Sequence, residues 1–180
     1  MYTLTIDDRE GFDERTQQFI NVKACTLHLE HSLIAISKWE SKWHKPFLDG
    51  ERRTDAELRD YARCMCMDKN VDDNIWSLLT TVELIGIMKY TEDSCSGTTF
   101  GASDNNDDVH HEIMSSELIY YYMSAGKIPF SCEKWNLNRL LILLKICGIK
   151  NNPKDKPKAS QSQLLNKYAS MHAARKKAKK

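Results

Sequence analysis

The sequence has no apolar run that is long enough to cross a bilayer. Its longest uninterrupted apolar run covers positions 140–144, whereas a membrane-spanning helix needs about 20 apolar residues. The first six residues also lack the basic and then apolar order of a secretory signal. These two absences predict a cytosolic protein that does not associate with membranes.

The sequence also lacks the cysteine spacing of a zinc site. Its six cysteines include no CxxC pair, and Cys64-x-Cys66 has no second pair at a suitable distance. Several cysteines lie beside Met and Leu in helical patterns, where a free thiol behaves as a small hydrophobe. We therefore expect reduced, structural thiols.

Nucleotide-binding and hydrolase signatures are missing as well. The segment Ala125-Gly-Lys-Ile128 is the nearest to the end of a P-loop, but it lacks the upstream glycine and the following Ser or Thr. The chain contains no GxGxxG and no GxSxG pattern. The sequence predicts that the protein is not an enzyme and holds no cofactor.

Two polar clusters resemble metal sites but lack the required ligands. The run Asp104-Asn-Asn-Asp-Asp108 is rich in oxygens, yet a calcium loop starting at Asp104 would have Val109 instead of Gly and Ser115 instead of the bidentate Glu. His110 and His111 are adjacent, so on a helix they point about 100° apart. We expect a solvated loop and no metal ion.

Charge is distributed unevenly along the chain. Of 26 basic and 25 acidic residues, positions 150–180 hold 10 basic residues and one acid, which leaves 16 basic and 24 acidic residues in positions 1–149. Such asymmetry is typical of an interaction tail. The tail would bind nucleic acid phosphates, dock on an acidic protein surface or keep the chain soluble. No aromatic residue interrupts its final cluster, so base stacking is not favoured.

Hydrophobic periodicity predicts a mostly helical body. Alternation over residues 2–6, 19–22 and 26–29 indicates a small N-terminal sheet or hairpin. Thr54-Asp-Ala-Glu57 has the form of a helix capping box. Helical spacing then predicts three inward stripes, which consist of Leu29, Leu33, Ile36, Trp39 and Trp43; of Val82, Ile85 and Met88; and of Met114, Leu118, Tyr121, Tyr122 and Ala125.

The segment 135–147 is apolar on most faces, which predicts a buried central helix that ends at Gly148. The fold class is therefore mainly α (α+β): a helical bundle around a central apolar helix, with a small N-terminal β-hairpin or sheet and a basic helical tail. We expect a globular domain at 1–150, a proline-containing linker at 151–159 and an amphipathic tail helix at 160–180.

The α-helical stripe before Pro46 contains one carboxylate, Glu40. Burying an unpaired charge is costly, so this side chain must reach water or a partner. One account is a structural bond to a backbone N–H or a basic residue. The other is a partner-binding surface formed with Trp39 and Trp43, since Trp is enriched in interface hot spots. The candidate partner-binding residues are Trp39, Glu40 and Trp43 in the body, and Leu164, Leu165, Tyr168, Arg175, Lys176 and Lys177 in the tail.

Several segments resemble one protein family encoded by long-tailed bacteriophages, the tail assembly chaperones. The likeness lies in residues 29–48, with Ser37-Lys-Trp-Glu-Ser-Lys-Trp-His-Lys-Pro46, and in residues 117–141, with Tyr120-Tyr-Tyr-Met-Ser-Ala-Gly-Lys-Ile-Pro129. Shorter matches occur at 60–67, at 70–72 and at the ending Met171-His-Ala-Ala-Arg-Lys176. These are family signatures without catalytic residues.

The resemblance implies a small helical protein that binds the tape measure protein during tail assembly in the host cytoplasm and is absent from the finished virion. The major tail protein is a further expected partner, and self-association is left open. Two alternatives remain at this point. One is a structural virion protein of the tail or neck, and the other is a nucleic-acid-binding protein that uses the basic tail.

Overall fold

The computed structural model describes residues 1–13, 17–98 and 113–151. The chain divides into two compact units, residues 1–144 and 145–180. Of the second unit, only residues 145–151 are described, and they form the end of a helix. The predicted tail helix and all but the first residue of the predicted linker therefore lie outside the described residues.

Two antiparallel strand pairs form the N-terminal part, which confirms the predicted small sheet, although the alternating pattern did not predict the strand at residues 9–13. Strand β1 (Tyr2–Ile6) pairs with β4 (Cys25–Leu29), and β2 (Arg9–Asp13) pairs with β3 (Gln18–Val22). In β1, Leu4 and Ile6 are buried while Thr3 and Thr5 are exposed. This period of two places one face of the β1–β4 pair against the core.

Helices make up most of the remaining described chain, which confirms the mainly α, α+β class. They are α1 (Leu33–Trp43), α2 (Asp55–Met65), α3 (Asn74–Ser77), α4 (Thr81–Thr91), α5 (Ser116–Ala125), a 3₁₀ helix (Phe130–Lys134) and α6 (Leu137–Asn151). The predicted capping box is present at α2, where the Glu57 carboxylate accepts a 2.7 Å bond from the Thr54 backbone N–H. Thr80 and Glu83 form a second capping box at α4.

Helix α1 lies in the middle of the core of the first unit. It packs against α2, α5 and the 3₁₀ helix. Leu33, Ile36 and Trp39 are fully buried along its inner stripe, as the spacing predicted. The indole N–H of Trp39 donates a 3.0 Å hydrogen bond to the Glu57 carbonyl, which ties α1 to α2. Trp43, at the end of the stripe, is only half-buried.

The prediction that α6 is the central buried helix is wrong. Only Leu137 and Leu140 of this helix are buried, and residues 141–144 are partly exposed. The helix also continues past Gly148 to Asn151, the first residue of the predicted linker. An apolar run shows that burial is favourable, but only the surrounding elements decide whether it occurs. In this fold they surround α1.

The predicted inward stripe of α4 faces outward. Leu84 and Ile87 are buried, whereas Val82 is 78% exposed and Ile85 is 62% exposed. Both sets have helical spacing, because α4 is apolar on two sides. Periodicity alone does not distinguish them, and packing on α2 and β1 selects the side with Leu84 and Ile87.

The predicted stripe of α5 is wrong for the same reason. The buried positions are Ser116, Ile119 and Met123, which follow a spacing of three and four. Tyr121 is 64% exposed and Tyr122 is 37% exposed, although both were expected in the core. Helix α5 packs on α1 through the side that carries Ile119 and Met123. A tyrosine-rich side is consequently left at the surface.

Candidate functional site

The buried carboxylate of Glu40 is bound by two backbone N–H groups of the chain itself. Its Oε2 accepts a 2.8 Å hydrogen bond from the Ser116 backbone N–H, and its Oε1 accepts a 2.7 Å bond from the Phe47 backbone N–H. Ser116 is the first residue of α5, so the negative charge also lies at the positive end of that helix. Glu40 thus joins α1, the following loop and α5, as the structural account predicted.

Trp39 is enclosed by groups from the loop that follows α1. The ring of Phe47 meets it edge-on at 5.1 Å, and the Arg53 guanidinium lies 5.1 Å from its ring centroid. Arg53 also donates to the carbonyls of Pro46 and Phe47 at 3.0 and 2.7 Å and pairs with Asp49. These contacts stabilise the loop around a fully buried indole.

The prediction of a partner-binding surface at Trp39 and Glu40 is therefore corrected, because both side chains are buried and bonded within the chain. Trp43 is partly exposed, and its indole N–H donates a 2.9 Å bond to the Asp60 carboxylate. The structure brings these three residues together on α1 as predicted, but two of them face inward. The six tail candidates, residues 164–177, lie outside the described residues.

A polar cleft of about 570 Å³ lies over Glu40, and its lining includes Ser37, Ser41 and His44. Among the described hydrogen bonds, none joins either serine to the His44 ring. Both oxygens of Glu40 already accept backbone N–H groups. The cleft thus brings two hydroxyl groups and an imidazole together on and directly after α1 without a described hydrogen bond between them.

One titratable pair is buried in the core. The Nδ1 atom of His31 lies 2.5 Å from the Tyr61 hydroxyl, and both side chains are inaccessible to solvent. Burial lowers the pKa of His31 to about 4. Burial also raises the pKa of Tyr61 above its usual value. Both groups are therefore neutral near pH 7, and the neutral forms avoid the desolvation penalty of a buried charge.

No group of three or more His, Cys, Asp or Glu side chains suited to a metal ion occurs within residues 1–13, 17–98 and 113–151. The acidic loop 104–108 and His110-His111 lie outside those ranges. Among the described helices, none is both long and apolar enough to cross a membrane.

A groove between α2 and α4 presents an apolar floor to solvent. Its volume is about 420 Å³. Apolar side chains from both helices line it, and Ile85 is the most exposed of those on α4 that do so. The lining consists of Leu58, Leu84, Ile85 and Met88, with Asp55, Thr81, Lys89 and Glu92 around them. We call it the α2–α4 groove.

A second exposed surface lies on and after α5. The rings of Tyr121 and Tyr122 are 5.6 Å apart, and Phe130 is 57% exposed beside Tyr120. We call these four residues the α5 aromatic face. Sequence reasoning missed both surfaces because it assigned Ile85 and Met88, and Tyr121 and Tyr122, to inward stripes. The available signal was that α4 and α5 each have more apolar positions than one buried stripe requires.

The chain was compared with known proteins at three levels. No protein-family model, no curated protein and no solved structure matches it. The resemblance to tail assembly chaperones therefore stays a prediction from the sequence.

Proposed function

We propose that this chain is a non-catalytic tail assembly chaperone of a long-tailed bacteriophage, and that it acts in the host cytoplasm by binding the tape measure protein. The observation that carries the proposal is the outward apolar side of α4, with Val82 and Ile85 more than half exposed. The tape measure protein is named as the client because segments 29–48 and 117–141 resemble tail assembly chaperones.

Burial against a partner is more favourable than exposure to water for apolar side chains on two neighbouring turns of a helix. Single exposed hydrophobes are ordinary on protein surfaces, but clustered ones mark interaction sites. Val82, Ile85 and Met88 follow helical spacing, and an apolar side of this kind packs well against an amphipathic helix. A tape measure protein, being a long helical client, would supply such helices.

The mechanism is stoichiometric binding without chemistry. The client's apolar helical stripe packs on the chaperone until other tail subunits replace the chaperone. This contact lowers the concentration of free apolar surface, which otherwise leads to aggregation.

Co-expression with the tape measure protein tests the proposal. We expect the client to move from the pellet to the soluble fraction and to co-purify with this chain. A client that remains insoluble, or that is equally soluble without the chain, would refute the proposal.

Two further measurements separate the alternatives. Abundant peptides of this chain in purified virions would favour a structural tail or neck protein. Binding of the chain to DNA that falls steeply with salt and is lost on deletion of residues 152–180 would favour a nucleic-acid-binding protein. The chaperone proposal expects neither result.

A further inference from the structure

We infer that the α2–α4 groove holds one amphipathic helix of the client, with basic residues beside the apolar stripe of that helix. This inference rests on the proposed function, and it assigns the client-binding surface and the chemistry that the surface recognises. Its support comes from the shape, the rigidity and the charge of the groove.

The shape of the groove matches a helix. Positions 81, 84, 85, 88, 89 and 92 line one wall at the spacing of a single helical face, and Asp55 and Leu58 of α2 line the other wall. Helix α4 has 11 residues, which corresponds to a length of about 16 Å. The wall is thus long enough for about three turns of a partner helix packed alongside.

The groove is held in place at both ends of α4. At the N-terminal end, the two terminal nitrogens of Arg9 donate to the two carboxylate oxygens of Glu83 at 2.9 and 2.7 Å. At the C-terminal end, the side-chain amide of Asn138 donates to the carbonyls of Thr91 and Asp93, both at 2.7 Å. A wall fixed in this way loses little conformational entropy on binding, and this raises affinity.

The charges around the groove favour a basic partner. Glu92 is exposed at one end, and Asp55 is 66% exposed on the opposite wall. Lys89 is the one basic residue in the lining. Arg59, which pairs with Asp55 at 3.0 Å, is also held by carbonyls of residues 76, 77 and 79. Because Arg59 already pairs with Asp55, the exposed Glu92 is the carboxylate that a Lys or Arg beside the apolar stripe of a partner helix would complement.

The chain offers a matched pair of isoleucine variants for the test. Ile85→Asn removes an apolar side chain, 62% exposed, from the groove, whereas Ile113→Asn changes an isoleucine that is 57% exposed and does not line the groove. The probe is a set of overlapping peptides of about 18 residues, or five helical turns, that cover the tape measure protein encoded by the same genome. Binding to the full chain is measured by fluorescence anisotropy.

We expect the peptides that bind to combine an apolar helical stripe with net positive charge. Ile85→Asn should weaken their binding about tenfold or more, and Ile113→Asn should change it less than about twofold. Equal effects of the two variants, or an absence of binding peptides, would overturn the inference. Unchanged circular dichroism and thermal midpoints would show that both variants are folded.

A charge reversal gives an independent test. Glu92→Lys should weaken the same peptides about threefold to tenfold at low salt, with a smaller effect of Glu92→Gln and a loss of the difference at high salt. Glu51→Lys, at an exposed acid that does not line the groove, is the matched control. Equal weakening by Glu51→Lys would show that only net charge matters and would contradict recognition by the groove.

Failure of this inference can be distinguished from failure of the proposed function. If wild type and Ile85→Asn solubilise the co-expressed client equally, the chaperone function is supported and the groove is not the client-binding site. If peptides bind the groove while the full client stays insoluble, the groove is supported as a binding site and the chaperone function is refuted. If the free chain is a dimer that Ile85→Asn converts to a monomer, a second copy fills the groove and the inference is wrong.

Discussion

The Glu40 carboxylate accepts a 2.8 Å hydrogen bond from the backbone N–H of Ser116, although 76 residues separate the two in sequence. The same carboxylate also binds the N–H of Phe47. Two backbone donors therefore depend on one buried side chain. This arrangement connects α1 to the first residue of α5.

Replacing Glu40 with alanine should lower the free energy of unfolding by about 3 kcal/mol, because the buried Ser116 N–H and the partly buried Phe47 N–H lose their acceptor. Glu40→Gln should cost less, since its remaining carbonyl oxygen still accepts one bond. Urea unfolding measures the difference. Glu51→Ala, at an exposed acid, is the control and should be nearly neutral. A Glu40→Ala variant as stable as the control would contradict the structural role.

The buried His31 should make stability depend on pH between about 6.5 and 4. Burial lowers its folded-state pKa to about 4, so in this window the unfolded chain binds the proton and the folded chain does not. Stability should fall as the pH falls through the window, by roughly 3 kcal/mol in total. Below pH 4 both states are protonated, and this contribution no longer changes.

Urea unfolding at several pH values measures this slope. His31→Gln should flatten it, whereas His44→Asn should leave it unchanged, because His44 is exposed and asparagine tolerates its positive φ of 54°. A second decline is expected at lower pH, since hydrogen bonds from Lys45 and the Thr54 backbone lower the pKa of Glu57 to about 2. A slope that persists in His31→Gln would show that another group causes it.

Substitutions on the buried side and on the exposed side of α5 should differ in their effect on the free energy of unfolding. Met123→Ala should destabilise the fold by about 2–5 kcal/mol, because Met123 is fully buried and the smaller side chain leaves a cavity. Tyr121→Ala, two positions earlier at a 64% exposed site, should change stability by less than about 0.5 kcal/mol. Thermal unfolding of both variants checks this. A larger effect of Tyr121→Ala would show that Tyr121 belongs to the core, as the sequence alone predicted.

The ion pair between Arg9 and Glu83 should contribute to both stability and client binding. Arg9→Met removes two bonds to Glu83 and a 3.0 Å bond to the Leu78 carbonyl, which should cost about 1–2 kcal/mol. A double-mutant cycle with Glu83→Gln isolates the pair. Additive effects of the two substitutions would show that the pair itself contributes nothing.

The same Arg9→Met variant should bind client peptides more weakly, because the N-terminal end of α4 loses its anchor and must be ordered on binding. Arg63→Met is a suitable control. Arg63 forms an exposed ion pair with Asp73 at 3.0 Å, and neither residue lines the groove. Equal affinities of the Arg9→Met and Arg63→Met variants would exclude the anchoring role.

Local sequence determined the elements whose signals depend on neighbours in the chain. The capping box at Thr54 and Glu57, the alternation in β1 and the α1 stripe through Leu33, Ile36 and Trp39 were all predicted correctly. The need of Glu40 for a partner was also predicted, because a carboxylate between apolar positions has few other solutions.

Tertiary structure decided which apolar surfaces are buried. Val82, Ile85 and Tyr121 have the spacing of core residues, but Leu84, Ile87 and Met123 occupy the core instead. Helices that are apolar on two sides satisfy the same periodic pattern in two orientations, and only packing against α1, α2 and β1 selects one. The sequence determined that Glu40 would be bonded, whereas the fold determined that Ser116 would donate to it and that the α2–α4 groove would remain open.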